Sequence, residues 1–566
     1  MAETYKRDSR FHAINEVLLN YADTKNKKNI TIVESSSGLA ASYYYKEVLE
    51  LSNSVFHALK KKHICEGDRV LVILPTSIGF ITSFFGILLA GGISVPLAPQ
   101  GIGTSSSVFY LNRIEHIIQD CRPRYVILDD EQIRYLPLIE LLSSIDGLGI
   151  INISNLEKTN TISEYVFPEA DDICFIQYTS GSTGNPKGVP LTHKNLIVNV
   201  NAISKASIIT KKDVCVSWLP LYHDMGFIGG FLVPFLNGIP VVLFPPDFFV
   251  FRPILWLSYI TEYRGTISPC NNFALLHCIK RIPDTSLEKL DLSSWRVAYN
   301  GSEPISMYVI RAFFQKFKSV GYRAETMLPC YGLAEGTLAV TFSSAIEQPV
   351  PLLFSRESFF TNNVALPVNE PENSIELVSV GSAVENVDIR IVDATGDDVS
   401  TGCVGEIIIK GFSVIDGYYC DSEKEKAEYI KDQWLYTGDL GFFHNSMLFI
   451  FGRKKELIII RGKNYSPVDI ENFVMACLSD KISGCVAFGY LHEVKQEEVL
   501  AIVYELRKAN ETLNCEITDL IERSVLNEFS VRVENVIRTN RILKTLNGKI
   551  IRTGCYEKYI LNTTGG

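Results

Sequence analysis

Between Val70 and Asn112 no side chain is charged. Such a stretch has two physical destinations, a bilayer or the interior of a globular fold. Within it TSIGFITSFFGILLAGGISV is nearly long enough to span a hydrocarbon core. Pro75 and Pro96 near the ends, with Gly79, Gly86, Gly91 and Gly92 inside, instead divide the run into VLVIL, a short helix and ISVPL. That is the pattern of a βαβ unit, whose strands are apolar on both faces because helices cover both sides of a parallel sheet. The expectation is a buried unit without stable membrane insertion.

The alternation continues to about Leu338 through VCVSWLPL, GFIGGFLVPFLNG, IPVVLF, PILWLSYITEYRG, GTISPC, FALLHCIKRI and WRVAYNG. It predicts α/β architecture in doubly wound layers. From about Ser379 short strands and turns such as DIRIVDATGDD and GEIIIKG predict a small β subdomain. From near Arg453 the pattern suffices for an independent α+β domain. The chain of 566 residues therefore reads as a large domain over 1–453 and a small mobile C-terminal α+β domain over 454–566. Between Glu335 and Gly381 lies a long connection with an insertion at about 347–374, whose LLFSRESFF segment favours packing over a loose loop.

Net charge of −10 lends no support to a nucleic-acid partner. The 13 cysteines show no CxxC pair or zinc-type spacing, which suits free thiols in a reducing, cytoplasmic setting. The first residues, MAETYKRDSRFH, contain no apolar signal core.

Residues Tyr178 to Val189 read YTSGSTGNPKGV between an apolar β-type run and a helical pattern. Gly181 and Gly184 let backbone amides turn toward an anion, the hydroxyls of Thr179, Ser180, Ser182 and Thr183 can donate to phosphate oxygens, and Lys187 adds charge. The loop lacks the GK[ST] of a Walker A sequence, so it predicts ATP or a similar polyphosphate without P-loop mechanics. A flexible surface linker is the alternative reading of the same composition.

Further motifs follow in order: LPLYHDMG at Leu219–Gly226, NGSEP at Asn300–Pro304, CYGLAEGT at Cys330–Thr337, YTGDLG at Tyr436–Gly441, GRKKELIIIRGKNYSP at Gly452–Pro467, and Gly548–Lys549 near the end. In this order they resemble the acyl-adenylate-forming superfamily, over nearly the whole chain. LPLYHDMG, NGSEPI, YGLAEGTL and the long insertion are most similar to the fatty acyl-AMP ligases. The resemblance implies ATP-dependent activation of a fatty acid to acyl-AMP, then transfer to the phosphopantetheine thiol of an acyl carrier protein or a synthase carrier domain. It makes Glu335 a Mg²⁺ ligand, with Thr179 a weaker one. It gives adenine the face of Tyr331, next to Gly332, and the backbone of Asn300, Gly301 and Ser302, and it gives the ribose to Asp439 and Arg453. Lys549 becomes the catalytic lysine, although Asn547 stands where a serine or threonine is commoner, and Lys455 aligns with the hinge of the small domain. His223 is placed near the reacting carboxylate in the acyl channel, while Asp224 reads as a local cap. Gly229 and Gly230 in GFIGGFL suit a tunnel for an alkyl chain and equally a plain buried helix.

Two rivals share these residues. An acyl-CoA synthetase performs the same first half-reaction with coenzyme A as acceptor, and a non-catalytic adenylate-binding or membrane-associated protein is suggested by the charge-free stretch alone.

Overall fold

The computed structural model describes residues 11–24, 28–34, 38–100, 107–157, 164–179, 186–460, 463–478, 480–492, 495, 497–507, 514–529, 531–544 and 550–561. Ser180, Gly181, Ser182, Thr183, Gly184 and Lys549 lie outside the described residues.

The charge-free stretch folds as the strand Arg69–Ile73, the helix Ile78–Leu89 and the strand Ile93–Leu97, the two strands parallel neighbours. Ser77 begins the helix by accepting from the Phe80 amide, and at 12 residues it is only about 18 Å long. Among the described residues no helix is long and apolar enough to cross a membrane. Gly86 explains one helix-breaking residue in this run: a Cβ there would lie 2.6 Å from Val55 Cβ and 2.7 Å from the Ser52 carbonyl. The glycine lets this helix and the helix Tyr45–Lys61 approach closely.

Three more strands, Tyr125–Leu128, Gly149–Asn152 and Ile173–Tyr178, join in parallel. Gly188–Thr192 closes that sheet in antiparallel pairing with Ile173–Tyr178, so the glycine-rich loop connects two paired strands before the helix His193–Ala206 begins. A second, larger sheet starts from parallel strands, among them Cys215–Ser217, Ile267–Cys270, Val297–Asn300 and Met327–Gly332. It then reverses. Ala339–Phe342 pairs antiparallel with Met327–Gly332, and the sheet continues through Ser374–Ala383, Met447–Arg453, Trp434–His444, Gly405–Gly411 and Val387–Val392 in antiparallel order. The doubly wound core and the expected β subdomain are thus one continuous sheet.

After Arg453 the chain makes a single turn over Lys454–Glu456 and enters separate, smaller sheets. The strands Ile482–His492, Glu497–Leu506 and Val533–Thr539 form one of them, backed by the helices Pro467–Leu478 and Asn514–Phe529. The insertion is ordered structure: the strand Pro351–Ser355 pairs with Ser374–Ala383 and runs directly into the helix Arg356–Asn362.

Candidate active site

The point where the large sheet reverses gathers the polar residues. Tyr331 ends the parallel run, and its hydroxyl donates to Asp439 Oδ2 at 2.8 Å. Asp439 sits on the strand Trp434–His444 opposite Arg453 of the next strand, whose Nε donates to Oδ1 at 2.9 Å. Both carboxylate oxygens are therefore held in a buried setting. Burial and the neighbouring Asp439 charge push the Tyr331 phenol well above its ordinary range, and the same carboxylate raises the Arg453 guanidinium despite its partial burial. The YTGD turn is tied down by Thr437, which donates to the Ile407 carbonyl at 2.7 Å and accepts from the Asp439 amide at 3.1 Å.

Glu335 lies in the turn between Met327–Gly332 and Ala339–Phe342. Its Oε1 accepts from the Tyr418 hydroxyl at 2.6 Å, and its carbonyl accepts from the Ile415 amide at 2.9 Å. Burial raises the Glu335 carboxyl above the usual glutamate range, with the Tyr418 donor and Arg453 opposing. Tyr418 also joins this turn to the exit of the glycine-rich loop. Lys187 Nζ lies 4.6 Å from its ring centre and 5.3 Å from that of Tyr429, while the Tyr419 amide donates to the Gly188 carbonyl at 2.8 Å. At the loop entrance the Thr179 amide donates to the Lys187 carbonyl at 3.1 Å, closing its two ends on each other.

Tyr331 also lines an apolar pocket. Asp224, Met225, Gly229, Tyr299, Ser302 and Phe342 are part of its wall, with Ile203 contributed by the helix that follows the glycine-rich loop. Gly301 and Gly332 also border it. Ser302 has φ of +68°, and its hydroxyl contacts Met225 Sδ at 3.3 Å. Asn300 is fully buried, and its Oδ1 has no hydrogen-bond partner among the described residues.

Asp224 borders this pocket and caps the Met225 amide, and His223 Nδ1 lies 2.7 Å from Asp224 Oδ1. The stretch Met225–Leu232 is wound as a π-helix, and its two adjacent central glycines face different neighbours. A Cβ on Gly229 would approach Leu338 of the pocket at 3.3 Å, whereas one on Gly230 would strike Ser217 Oγ at 2.6 Å. Gly230 serves sheet packing. Lys455 is exposed in the turn after Arg453. Tyr418 was missed in the sequence. Its signal, the glycine and paired tyrosines of DGYYCD, looks like any polar loop until the fold sets it on Glu335.

Comparison with known proteins defines an adenylate-forming enzyme. A model of the family "AMP-binding enzyme" matches residues 22–419, so the chain belongs to that family and is a ligase of the acyl-adenylate-forming superfamily. A medium-chain-fatty-acid–[acyl-carrier-protein] ligase of Moorena producens is 33% identical, covering 95% of this chain and 93% of its own length. A second ligase so named, from Teredinibacter turnerae, is 31% identical over 92% of this chain and 88% of its own. A solved structure from work on fatty acyl-adenylate ligases of E. coli and L. pneumophila superimposes with a TM-score of 0.89 at 30% identity, covering 98% of this chain and 99% of that one.

Proposed function

We propose that the protein activates a fatty acid with ATP and passes the acyl group to an acyl carrier protein. The observation that carries this reading is the double role of Tyr331, which walls the apolar pocket and donates to the buried Asp439 carboxylate. An alkyl chain on one side and a ribose on the other would bring carboxylate and α-phosphate together at the sheet reversal. A carboxylate oxygen attacks the α-phosphorus, the bond to the bridging oxygen breaks, and pyrophosphate leaves. The thiol of the carrier's phosphopantetheine then attacks the acyl carbon, its proton goes to solvent, and AMP departs.

Asp439 and Arg453 hold the ribose, Tyr331 and Gly332 face adenine, and Asn300, Gly301 and Ser302 read its edge. The residues from Thr179 to Gly184 and Lys187 cradle the phosphates, and Lys549 bridges carboxylate and α-phosphate. Glu335, with Thr179, would hold Mg²⁺ at the phosphates, and Tyr418 orients one Glu335 oxygen toward that role. The ion would supply positive charge to the phosphate oxygens. A large domain over 1–453 and a small one over 454–566 pivot at Lys455 between the two half-reactions, and the enzyme works in the cytoplasm.

The insertion favours a carrier protein over free coenzyme A. Arg356 is 5% exposed; it donates to both Asp469 oxygens at 3.2 and 3.3 Å, pairs with Glu528 and stacks 4.5 Å from the Phe529 ring centre. It ties the insertion to two helices of the small domain, a restraint on the rotation that presents the adenylate to coenzyme A. The test supplies ATP, a mixed fatty-acid pool and either loaded carrier protein or coenzyme A, with products identified by mass. Acyl-carrier product with little acyl-CoA is expected; efficient acyl-CoA formation would replace this reading with a coenzyme A ligase.

A further inference from the structure

Asn199 lies on the helix His193–Ala206, which the chain enters after the glycine-rich loop, and it is fully buried. An asparagine amide offers two donor hydrogens and an acceptor oxygen, and here all are spent on one short stretch and its neighbour. Oδ1 accepts from the Ala339 amide at 3.0 Å, while Nδ2 donates to the Ala339 carbonyl at 2.9 Å. The second hydrogen is shared between Ser413 Oγ at 3.2 Å and the Gly336 carbonyl at 3.3 Å. These bonds grip the segment that immediately follows Glu335.

That segment needs a grip. Thr337 has φ of +70° and ψ of −59°, a backbone state that a β-branched residue adopts only when its surroundings enforce it. Its hydroxyl donates to the Ser413 carbonyl at 2.5 Å, so Ser413 receives one bond from the strained residue and one from Asn199.

We propose that Asn199 is a positioning residue for metal-assisted ATP binding. It fixes the strained turn so that the Glu335 carboxylate meets the ion held on the phosphates, and it couples that turn to the helix behind the phosphate loop. The inference rests on the reading of Glu335 as the Mg²⁺ ligand. Partners that orient a metal ligand set metal affinity by about ten- to a hundredfold, and Asn199 acts on Glu335 through the backbone rather than by touching substrate.

The experiment measures ATP binding by calorimetry, with and without Mg²⁺ and with no fatty acid present, in the wild type and in Asn199→Ala, Ser413→Ala and Val200→Ala. Val200 shares the helix and is fully buried, so its truncation controls for lost packing. In Asn199→Ala the gain in ATP affinity conferred by Mg²⁺ should fall by about tenfold or more, with metal-free affinity unchanged. Ser413→Ala should lose a smaller part of the gain, and Val200→Ala none of it. A full Mg²⁺-dependent gain in Asn199→Ala overturns the proposal, as does equal weakening with and without the ion. If Asn199→Ala fails to fold, an undiminished gain in Ser413→Ala overturns it instead. A wild type that binds ATP equally with and without Mg²⁺ removes the Glu335 reading itself, and this inference with it.

Discussion

Asp439 receives a hydrogen bond on each carboxylate oxygen, one from Tyr331 and one from Arg453, so its orientation is set before any nucleotide arrives. Hydrogen bonds to a charged group contribute about 1.5–3 kcal/mol each. Asp439→Ala should therefore weaken ATP binding roughly ten- to a hundredfold, measured by calorimetry, and should also lower the melting temperature, because the buried Tyr331 hydroxyl and the Arg453 guanidinium lose their acceptor. Affinity equal to wild type would remove Asp439 from the ribose site. Lys549→Ala should slow acyl-AMP formation by about two to three decades, the effect of losing one electrostatic donor at the reacting centre, while ATP still binds. Near wild-type adenylation would sink that assignment.

At the scale of elements, the charge-free stretch was legible because glycine and proline positions divide it into strand, helix and strand, and the parallel order followed from that. Short polar turns were less legible. His223 and Asp224 are adjacent in sequence, and which of them borders the pocket shows only in the three-dimensional structure. The insertion was read as a packed unit, but the division of labour within it was hidden. Phe354 and Phe359 pack on Phe442, Phe449 and Phe451 of the large sheet, and Arg356 between them reaches Asp469 on the helix Pro467–Leu478. Excising the insertion would therefore uncover an aromatic core, and a point change is the cleaner probe. Phe354→Ala should cost about 3–5 kcal/mol of stability in denaturant unfolding, and a loss under 1 kcal/mol would contradict its place in the core. Arg356→Met should leave acyl-AMP formation nearly intact and raise acyl-CoA output, detected by mass; unchanged output would discard the restraint.

For the whole molecule, the contact of Arg356 with Asp469 carries its own pH dependence. Burial pushes the Asp469 carboxyl up to about 6, with Arg356 opposing. Its ordinary value is 3.8, so the folded protein holds this proton over a window in which the unfolded chain has released it. Stability from this group is full below pH 4 and declines as pH rises toward about 6. Melting curves of wild type and Asp469→Asn should diverge across that window and run parallel above it. A constant difference from acid to neutral pH would show that Asp469 does not titrate there.

Tyr331 belongs at once to the wall of the apolar pocket and to the hydrogen-bonded Asp439 unit. A side chain shared in this way makes the two halves of the site one thermodynamic system. Whatever factor a bound fatty acid applies to the affinity for ATP, bound ATP must apply to the affinity for the fatty acid. Neither ligand then has a single dissociation constant; each has one for every state of the other.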